Sequence, residues 1–350
     1  MVKFKEPLEL MGVPGSPYTR KMLALLRYRR IAYRLIPSSR HTSETDNGRF
    51  RERPQPHVAL LPTFYAVDDT GQEIAICDST PLIREFEKTF SGRNVIPDNP
   101  ALAFLDYLLE DYADEWVTKA MFHYRWSYEP DISKAGQILA RWTNITSSDE
   151  AISGKSKYIT DKQISRLRYV GSNEITCDTI EESFTRFIDL LNKHFCQMPF
   201  LLGERPSACD FAVYGQLTCL ALFDPTPQGI ILKRAPRVHA WTEVMEDLSG
   251  FETLPNDWIT IKSFPESLKN IFNEIGQVYV PYLLANEQSV RNKTKLMETE
   301  IGGRPWQQKP FEYQVKCLRW IREKFTELNE ESKKDVQNCL AGSNIERLFG

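Results

Sequence analysis

The sequence predicts an α/β domain followed by an all-helical domain. A chain of 350 residues is long enough for about two domains. Strand-like and helix-like patterns alternate up to about residue 90, which is typical of a small sheet with helices on its faces. Beyond residue 100, apolar side chains repeat at the spacing of amphipathic helices.

The N-terminal pattern has the order β-α-β-loop-β-β-α. An apolar strand ends in a turn rich in glycine and proline after Met11, and a helical period begins at Pro17, a residue type tolerated in a first helical turn. Residues 37–57 are polar and predict a loop. The predicted elements are strands at 8–11, 31–36, 57–67 and 73–77, and helices from residue 17 and over 78–88.

Changes of composition and period divide the chain into four segments. They are an α/β domain at 1–90, a linker at 91–100, a helical domain at 101–261 with a polar insertion near 129–172, and a helical extension at 262–350. The extension contains an amphipathic helix that begins near Phe311. Its apolar face must be buried, and three alternatives remain open: it covers a pocket, packs on the helical domain, or forms an interface.

Composition and charge exclude several classes of protein. Lys and Arg total 44 against 47 Asp and Glu, so no strong field favours nucleic acid or an anionic membrane. No run of about 20 apolar residues predicts a membrane span, and no signal peptide is recognised. The seven cysteines are widely spaced, without a C-x-x-C pair. We therefore expect reduced thiols, a cytoplasmic location and no metal site.

Several short motifs occur in an order that resembles the glutathione transferase superfamily. They are Ser16-Pro-Tyr-Thr-Arg20, Leu61-Pro62, Asp78-Ser79, the capping box Ser207-Ala-Cys-Asp210, and the stretch 236–241 from proline to tryptophan. The resemblance covers residues 8–250 of the chain. It implies a thioredoxin-like N-terminal domain, an all-α C-terminal domain, and glutathione as a co-substrate.

Ser16 lies immediately before the first predicted helix. A helix N-terminus carries partial positive charge and unpaired N–H groups, which favour a thiolate held beside it. The same geometry suits an ordinary helix cap, with Pro17 in the first turn. In Ser-type members of the family, the serine at this position donates a hydrogen bond to the glutathione sulfur, so the resemblance implies a catalytic role for Ser16. Tyr18 is the rival hydroxyl and is expected in the pocket wall.

Two further motifs are implied to hold glutathione. Pro62 matches the family's cis-proline, whose cis bond would turn the backbone of Leu61 towards the cysteinyl part of an extended tripeptide. The alternative is an ordinary edge-strand proline. Ser79 is predicted to cap the next helix and to hold the γ-glutamyl carboxylate. Asp78 would bind the amino group, in a position where most family members have the longer Glu or Gln.

The helical domain is implied to hold the second substrate. Tyr112 and Trp116 belong to an aromatic cluster on its first helix and are candidates for the pocket wall, with a helix–helix core as the alternative. The resemblance thus predicts an enzyme that activates the glutathione thiolate for attack on a hydrophobic electrophile. The alternative is a non-catalytic binding or scaffold protein that keeps the fold. The family is commonly dimeric, so a homodimer is compatible with the resemblance.

Cysteine-based redox chemistry is disfavoured. Redox proteins of this fold carry a nucleophilic cysteine where Ser16 stands, and a hydroxyl cannot form a mixed disulfide. His41 lies in the polar loop, where we interpret it as a solvated histidine rather than a ligand for a glutathione carboxylate.

Overall fold

A computed structural model of the protein describes residues 2–37, 52–142, 145–254 and 256–349, so His41 lies outside the described residues. The N-terminal domain contains a four-stranded sheet. Its strands are β1 (Leu8–Met11), β2 (Tyr33–Ile36), β3 (Thr63–Val67) and β4 (Glu73–Ile76). They lie in the order β2-β1-β3-β4, with β1 parallel to β2 and β3 antiparallel to both of its neighbours. Two helices, α1 (Pro17–Arg29) and α2 (Ser79–Thr89), complete the α/β domain.

The third predicted strand is much shorter in the structure. Residues 57–67 were expected to form it, whereas β3 begins at Thr63, immediately after Pro62. Proline has no N–H to contribute to the ladder, so pairing with β1 starts beyond it, at the pair Met11 and Thr63. Leu60 and Leu61, which precede Pro62, are therefore not part of β3 and lie where the N-terminal domain meets the helical domain.

The second domain is helical, as expected. Its helices are α3 (Pro100–Tyr112), α4 (Thr118–Ser127), α5 (Glu129–Arg141), α6 (Asp149–Ile164), α7 (Leu167–Val170), α8 (Cys177–His194), α9 (Ala208–Leu217), α10 (Pro225–Arg234) and α11 (Pro236–Val244). The apolar helix α9 is buried throughout and packs against α1 and α3. The predicted capping box is present, because the Asp210 carboxylate accepts from the backbone N–H of Ser207 at 2.9 Å.

Two π-helical segments, Ala113–Val117 and Thr218–Phe223, follow α3 and α9 without a break. Segments of this kind change which side chains a helix presents to one face, and they are frequent at functional sites. The first of them joins α3 to α4 directly beside the N-terminal domain.

The extension combines helices with a hairpin. Its elements are α12 (Glu266–Arg291), β5 (Met297–Ile301), β6 (Arg304–Gln308), α13 (Glu312–Thr326) and α14 (Glu330–Leu340). The hairpin corrects the prediction of a helical extension. Its loop consists of Gly302 and Gly303, which have φ angles of +60° and +79°, the conformation that a tight two-residue hairpin turn requires.

The extension packs on the helical domain. Helix α12 lies against α8, while α13 and α14 lie against α3. The ring of Phe325 contacts Phe104 of α3 and stacks on Phe349, with centroid distances of 5.5 and 3.9 Å. One continuous apolar core therefore runs through both domains and the extension.

Candidate functional site

Ser16 lies where β1 passes into α1. Its Oγ accepts a hydrogen bond from the backbone N–H of Thr19 at 3.2 Å, so Ser16 caps the helix. The hydroxyl also donates to the carbonyl oxygen of Leu61 across a long contact of 3.5 Å. The Leu61–Pro62 peptide bond is cis. The hydroxyl and the Leu61 backbone thus meet at the N-terminus of α1.

An aromatic ring from the predicted insertion approaches this corner. A Cβ added to Gly15 would lie 2.1 Å from Cζ3 of Trp142, so only glycine allows the ring to lie there. The Trp142 ring packs in turn against Phe223, with a centroid distance of 5.5 Å. Arg125 donates to the carbonyl oxygen of Gly15 at 3.1 Å. Residues of the helical domain therefore fix the backbone that precedes Ser16.

Asp78 and Ser79 lie at the turn between β4 and α2. Helix α2 begins at Ser79 itself, so the predicted cap position of Ser79 is wrong by one residue, and Asp78 precedes the first turn with a φ of +86°. Ser79 Oγ accepts from Lys21 Nζ at 3.1 Å. Asp78 Oδ2 accepts from the hydroxyl of Tyr313, in the extension, at 3.2 Å. Both side chains are held by groups from other elements.

Lys21 is buried where the two domains meet. Its ammonium lies 2.7 Å from Oε1 of Glu110 and 2.6 Å from Oδ2 of Asp114. Burial alone would lower the pKa of Lys21, but the charges of Asp114 and Glu110 outweigh it and raise the pKa. Glu110 also pairs with Arg84 of α2. This ion cluster connects α1, α2 and α3.

A cavity of about 530 Å³ opens between the N-terminal domain, the helical domain and the extension. The N-terminal domain contributes Tyr18, Leu61, Pro62, Asp78 and Ser79, the helical domain contributes Tyr107, Asp111, Asp114, Glu115 and Lys119, and the extension contributes Phe311, Tyr313, Gln314, Cys317 and Trp320. Four of the residues expected to bind glutathione therefore line one cavity. Ser16 lies beside it, in contact with Leu61.

Carboxylates of α3 and of the π-helical segment face the cavity. Asp111 accepts from the hydroxyl of Tyr279 at 2.6 Å, and Glu115 accepts from Nε2 of Gln314 at 3.0 Å. Burial raises the pKa of Asp111 to about 7. Burial and the neighbouring Asp111 raise the pKa of Glu115 to about 8. This wall thus holds acids that keep their protons close to neutral pH.

Lys119, a base in the same wall, has a pKa that is shifted downwards. Burial lowers the pKa of Lys119 to about 7. Its ammonium donates to the carbonyl oxygen of Val170 at 3.2 Å and lies 4.1 Å from the ring centroid of Tyr282. Its partners are therefore a backbone carbonyl and an aromatic face.

The pocket-wall predictions for Tyr112 and Trp116 need correction. Tyr112 packs between Phe187 and Tyr279, at centroid distances of 5.4 and 5.8 Å, and Trp116 lies 5.4 Å from Trp306. Both side chains point into the helix–helix core, and neither lines the cavity. The cavity is instead lined by their neighbours at positions 111, 114 and 115. Aromatic composition does not reveal which face of a helix meets which neighbour.

Tyr18 does line the cavity. Its hydroxyl donates to the backbone carbonyl of Asp114 at 2.7 Å. Burial raises the pKa of Tyr18 well above its ordinary value, so this hydroxyl keeps its proton. The contact ties α1 to the π-helical segment.

Residues 10–94 match the family model described as "Glutathione S-transferase, N-terminal domain". The N-terminal domain is a glutathione S-transferase domain. The superfamily predicted from the sequence is thus confirmed over these residues, and so is the thioredoxin-like fold with its helical partner. No curated protein matches the chain.

Three solved structures illustrate how distant the similar proteins are. The Tau class glutathione S-transferase from mango, Mangifera indica, is 16% identical, with a TM-score of 0.41, over 75% of this chain and 95% of its own. The beta-etherase LigF from Sphingobium sp. strain SYK-6 is 16% identical, with a TM-score of 0.45, over 76% and 99%. A glutathione S-transferase from Methylobacterium radiotolerans, in complex with glutathione sulfonate, is 12% identical, with a TM-score of 0.40, over 72% and 99%.

Three residues around the glutathione S-transferase domain escaped the sequence analysis. Lys21 lies among the buried, mostly apolar positions of α1, and a lysine at such a position is itself a signal of a buried charge. Tyr313 and Gln314 lie in the first turn of the extension's amphipathic helix but are not among its periodic apolar positions, so the pattern carried no sign that they face a cavity. In the described residues, no helix is both long and apolar enough to cross a membrane.

Proposed function

We propose that the protein is a glutathione transferase, in which Ser16 stabilises the glutathione thiolate and the adjacent cavity holds a hydrophobic electrophile. The observation that carries the proposal is the meeting of the Ser16 hydroxyl, the α1 N-terminus and the Leu61–Pro62 backbone in one corner. A thiol that loses its proton there gains a hydroxyl donor and the positive end of a helix.

The residues at the corner suit this role. The Ser16 oxygen already accepts from Thr19, so its hydrogen is the part available to a sulfur anion, and it makes only a long contact in the structure. Turning this hydrogen from the Leu61 carbonyl to a thiolate exchanges a weak hydrogen bond for a charge-assisted one. In the same way, Ser79 accepts from Lys21 and keeps its own hydrogen for a carboxylate.

The proposed reaction is nucleophilic attack by the thiolate sulfur on an electrophilic carbon. A new C–S bond forms, and one of two bonds breaks. In a substitution the leaving group departs with the electron pair of its bond to carbon, and in an addition the π electron pair of an activated double bond moves to the other carbon, which then takes up a proton. The apolar lining that Leu60, Phe311 and Trp320 give the cavity supports a hydrophobic reactant. Cys317 does not suit a redox alternative, because burial raises its pKa far above the ordinary value and keeps its thiol protonated.

A second candidate is a binding or scaffold protein without transferase activity. One observation favours it: Asp78, the expected partner of the glutathione amino group, already accepts from Tyr313. In this candidate the contact with Tyr313 takes the place of the contact with glutathione, whereas in the transferase Asp78 makes both contacts.

The test combines retention on immobilised glutathione with a conjugation assay on a chromogenic aryl halide. We expect the protein to be retained and to turn over, and Ser16→Ala to be retained while turnover falls about 10²-fold, as when one donor to a developing or bound anion is removed. Ser127→Ala, on α4, serves as a matched hydroxyl deletion outside the corner. Retention without turnover favours the binding protein, and unchanged turnover in Ser16→Ala overturns the role of Ser16.

A further inference from the structure

We propose that Lys316, on helix α13 of the extension, is a glutathione-binding residue whose ammonium pairs with the α-carboxylate of the γ-glutamyl group, next to Ser79. The inference rests on the proposed function, because the γ-glutamyl end of glutathione must lie at the start of α2. It deepens that function by making the extension part of the glutathione site.

Lys316 lies beside the turn that opens α2. Its Nζ is 4.1 Å from the ring centroid of Trp320 and 5.4 Å from that of Tyr313, and both rings line the cavity. The hydroxyl of Tyr313 donates in turn to Oδ2 of Asp78 at 3.2 Å. A single tyrosine side chain thus contacts both the ammonium of Lys316 and the carboxylate that precedes Ser79.

The charge of Lys316 influences this turn. Burial raises the pKa of Asp78, and the charge of Lys316 acts against burial, as the hydrogen bond from Tyr313 does. Burial likewise raises the pKa of Cys77, and Lys316 again opposes the shift. An ammonium that favours negative charge at both residues before Ser79 is placed to favour a ligand carboxylate at Ser79 itself.

Among the described residues, the ammonium of Lys316 has no anionic partner. It forms neither an ion pair nor a hydrogen bond there, although Glu312 lies one helical turn before it on α13, at a spacing where such pairs form. The ammonium lies instead over the Trp320 ring, which leaves N–H donors for an acceptor, since a lysine ammonium carries three. Lys316 is partly exposed, so a ligand in the cavity can reach it.

The start of α2 supplies the rest of a carboxylate site. Ser79 lines the cavity, and its Oγ accepts from Lys21, so the hydroxyl hydrogen is left for an acceptor. The first turn of α2 contains no acidic side chain, and its N–H groups favour an anion. Lys21 itself does not supply the cation for a ligand, because its charge already pairs with Glu110 and Asp114.

The γ-glutamyl group carries a carboxylate and an ammonium on the same carbon atom. A site for it therefore needs a cation and an anion a short distance apart. Asp78 is the anion expected for the ammonium, and Lys316 supplies the cation, with Tyr313 in contact with both. The two protein charges act on the two ends of one zwitterion, so together they favour this group over a simple amine or a simple acid.

The test is calorimetry on the full chain with glutathione and with 4-aminobutanoyl-cysteinyl-glycine, an analogue that lacks only the α-carboxylate. Lys316→Met removes the ammonium but keeps an apolar stem, and it should weaken glutathione binding about tenfold while the affinity for the analogue stays almost unchanged. Lys316→Arg keeps the charge and should retain most of the affinity for glutathione. Lys324→Met, at an exposed lysine on the same helix, is the matched control and should bind both compounds as the wild type does.

Unchanged glutathione affinity in Lys316→Met, or an equal loss for both compounds, would overturn the inference. Melting curves show whether each variant folds, and Lys316→Gln takes the place of Lys316→Met if that variant does not fold. Turnover of the aryl halide is measured on the same samples. A loss confined to glutathione in a protein without turnover overturns the transferase and leaves the role of Lys316, whereas turnover with equal losses overturns the role of Lys316 only. If the wild type binds no glutathione, both proposals are overturned.

Discussion

Tyr313 donates its hydroxyl hydrogen to Oδ2 of Asp78 at 3.2 Å, across 235 positions of sequence. The contact joins the extension to the turn that opens α2 in the N-terminal domain. Burial raises the pKa of Asp78, and the hydrogen bond from Tyr313 opposes that shift, so the hydroxyl favours the charged carboxylate. The extension thereby influences the group expected to meet the amino end of glutathione.

Tyr313→Phe should weaken glutathione binding. The KM for glutathione is expected to rise by roughly threefold to tenfold, the equivalent of about 1 kcal/mol for one hydrogen bond, with kcat almost unchanged. Steady-state kinetics with glutathione as the varied substrate measures this. Tyr158→Phe, an exposed tyrosine on α6, is the matched control. A fall in kcat at constant KM would contradict a role in binding.

Lys21→Met should strongly destabilise the fold. The substitution leaves Glu110 and Asp114 buried without their shared cation, and breaking a buried ion pair in this way costs about 3–5 kcal/mol. The free energy of unfolding in urea reports the loss. Arg20→Met removes a more exposed ion pair with Glu246 from the same helix and should cost less than about 1 kcal/mol. Similar losses in both variants would refute the importance of the buried cluster.

Glu115→Gln should alter the pH dependence of stability. The folded pKa of Glu115 is raised to about 8 from an ordinary value of 4.5, by burial and by Asp111 and Asp114, against Gln314 and Lys119. The folded state then binds more protons than the unfolded state between these values. The stability contributed by Glu115 is therefore complete below pH 4.5 and is lost as the pH rises through about 8.

Unfolding free energies of both proteins, measured from pH 5 to pH 9, test this. The wild type should lose stability relative to Glu115→Gln by less than about 1.4 kcal/mol per pH unit, the limit for one proton, because Glu115 keeps partial contact with water. The difference should level off above pH 8. A constant difference across the range would show that Glu115 is ionised in the folded protein throughout.

Gly276→Ala should displace the C-terminal segment. Gly276 lies within α12, and a Cβ there would be 1.5 Å from the carbonyl oxygen of Ser343, which is backbone and cannot rotate away. We expect a loss of more than about 2 kcal/mol in thermal or urea unfolding. Gly229→Ala, within α10 and with open space around it, should instead gain up to about 1 kcal/mol. A neutral Gly276→Ala would mean that the segment after α14 moves without cost.

The α/β domain could be predicted because its signals are local. The glycine- and proline-rich turn after Met11 and the helical period that begins at Pro17 can each be recognised from a few neighbouring residues. The hairpin formed by β5 and β6 was missed although Gly302 and Gly303 are a strong turn signal, because the surrounding segment was interpreted as helical. The two glycines were a sufficient turn signal, but the prediction gave more weight to the helical pattern on either side of them.

The candidate site was less predictable, because its walls come from distant parts of the chain. The motifs identified Leu61, Asp78 and Ser79 but gave no indication of Tyr313, which only packing brings to them. The prediction that Trp116 lines the pocket was wrong for a related reason, because its neighbour Glu115 lines the cavity instead. Helical spacing fixes which residues share a face, but the identity of the neighbouring element is decided by the whole fold.

The ammonium of Lys21 holds the N-terminal domain and the helical domain together. It belongs to α1, yet its carboxylate partners belong to α3 and the π-helical segment that follows. A movement of the N-terminal domain relative to the helical domain would break both ion pairs of Lys21 at the same time and leave its charge buried without a partner. We therefore expect the cavity between the two domains to keep a fixed width.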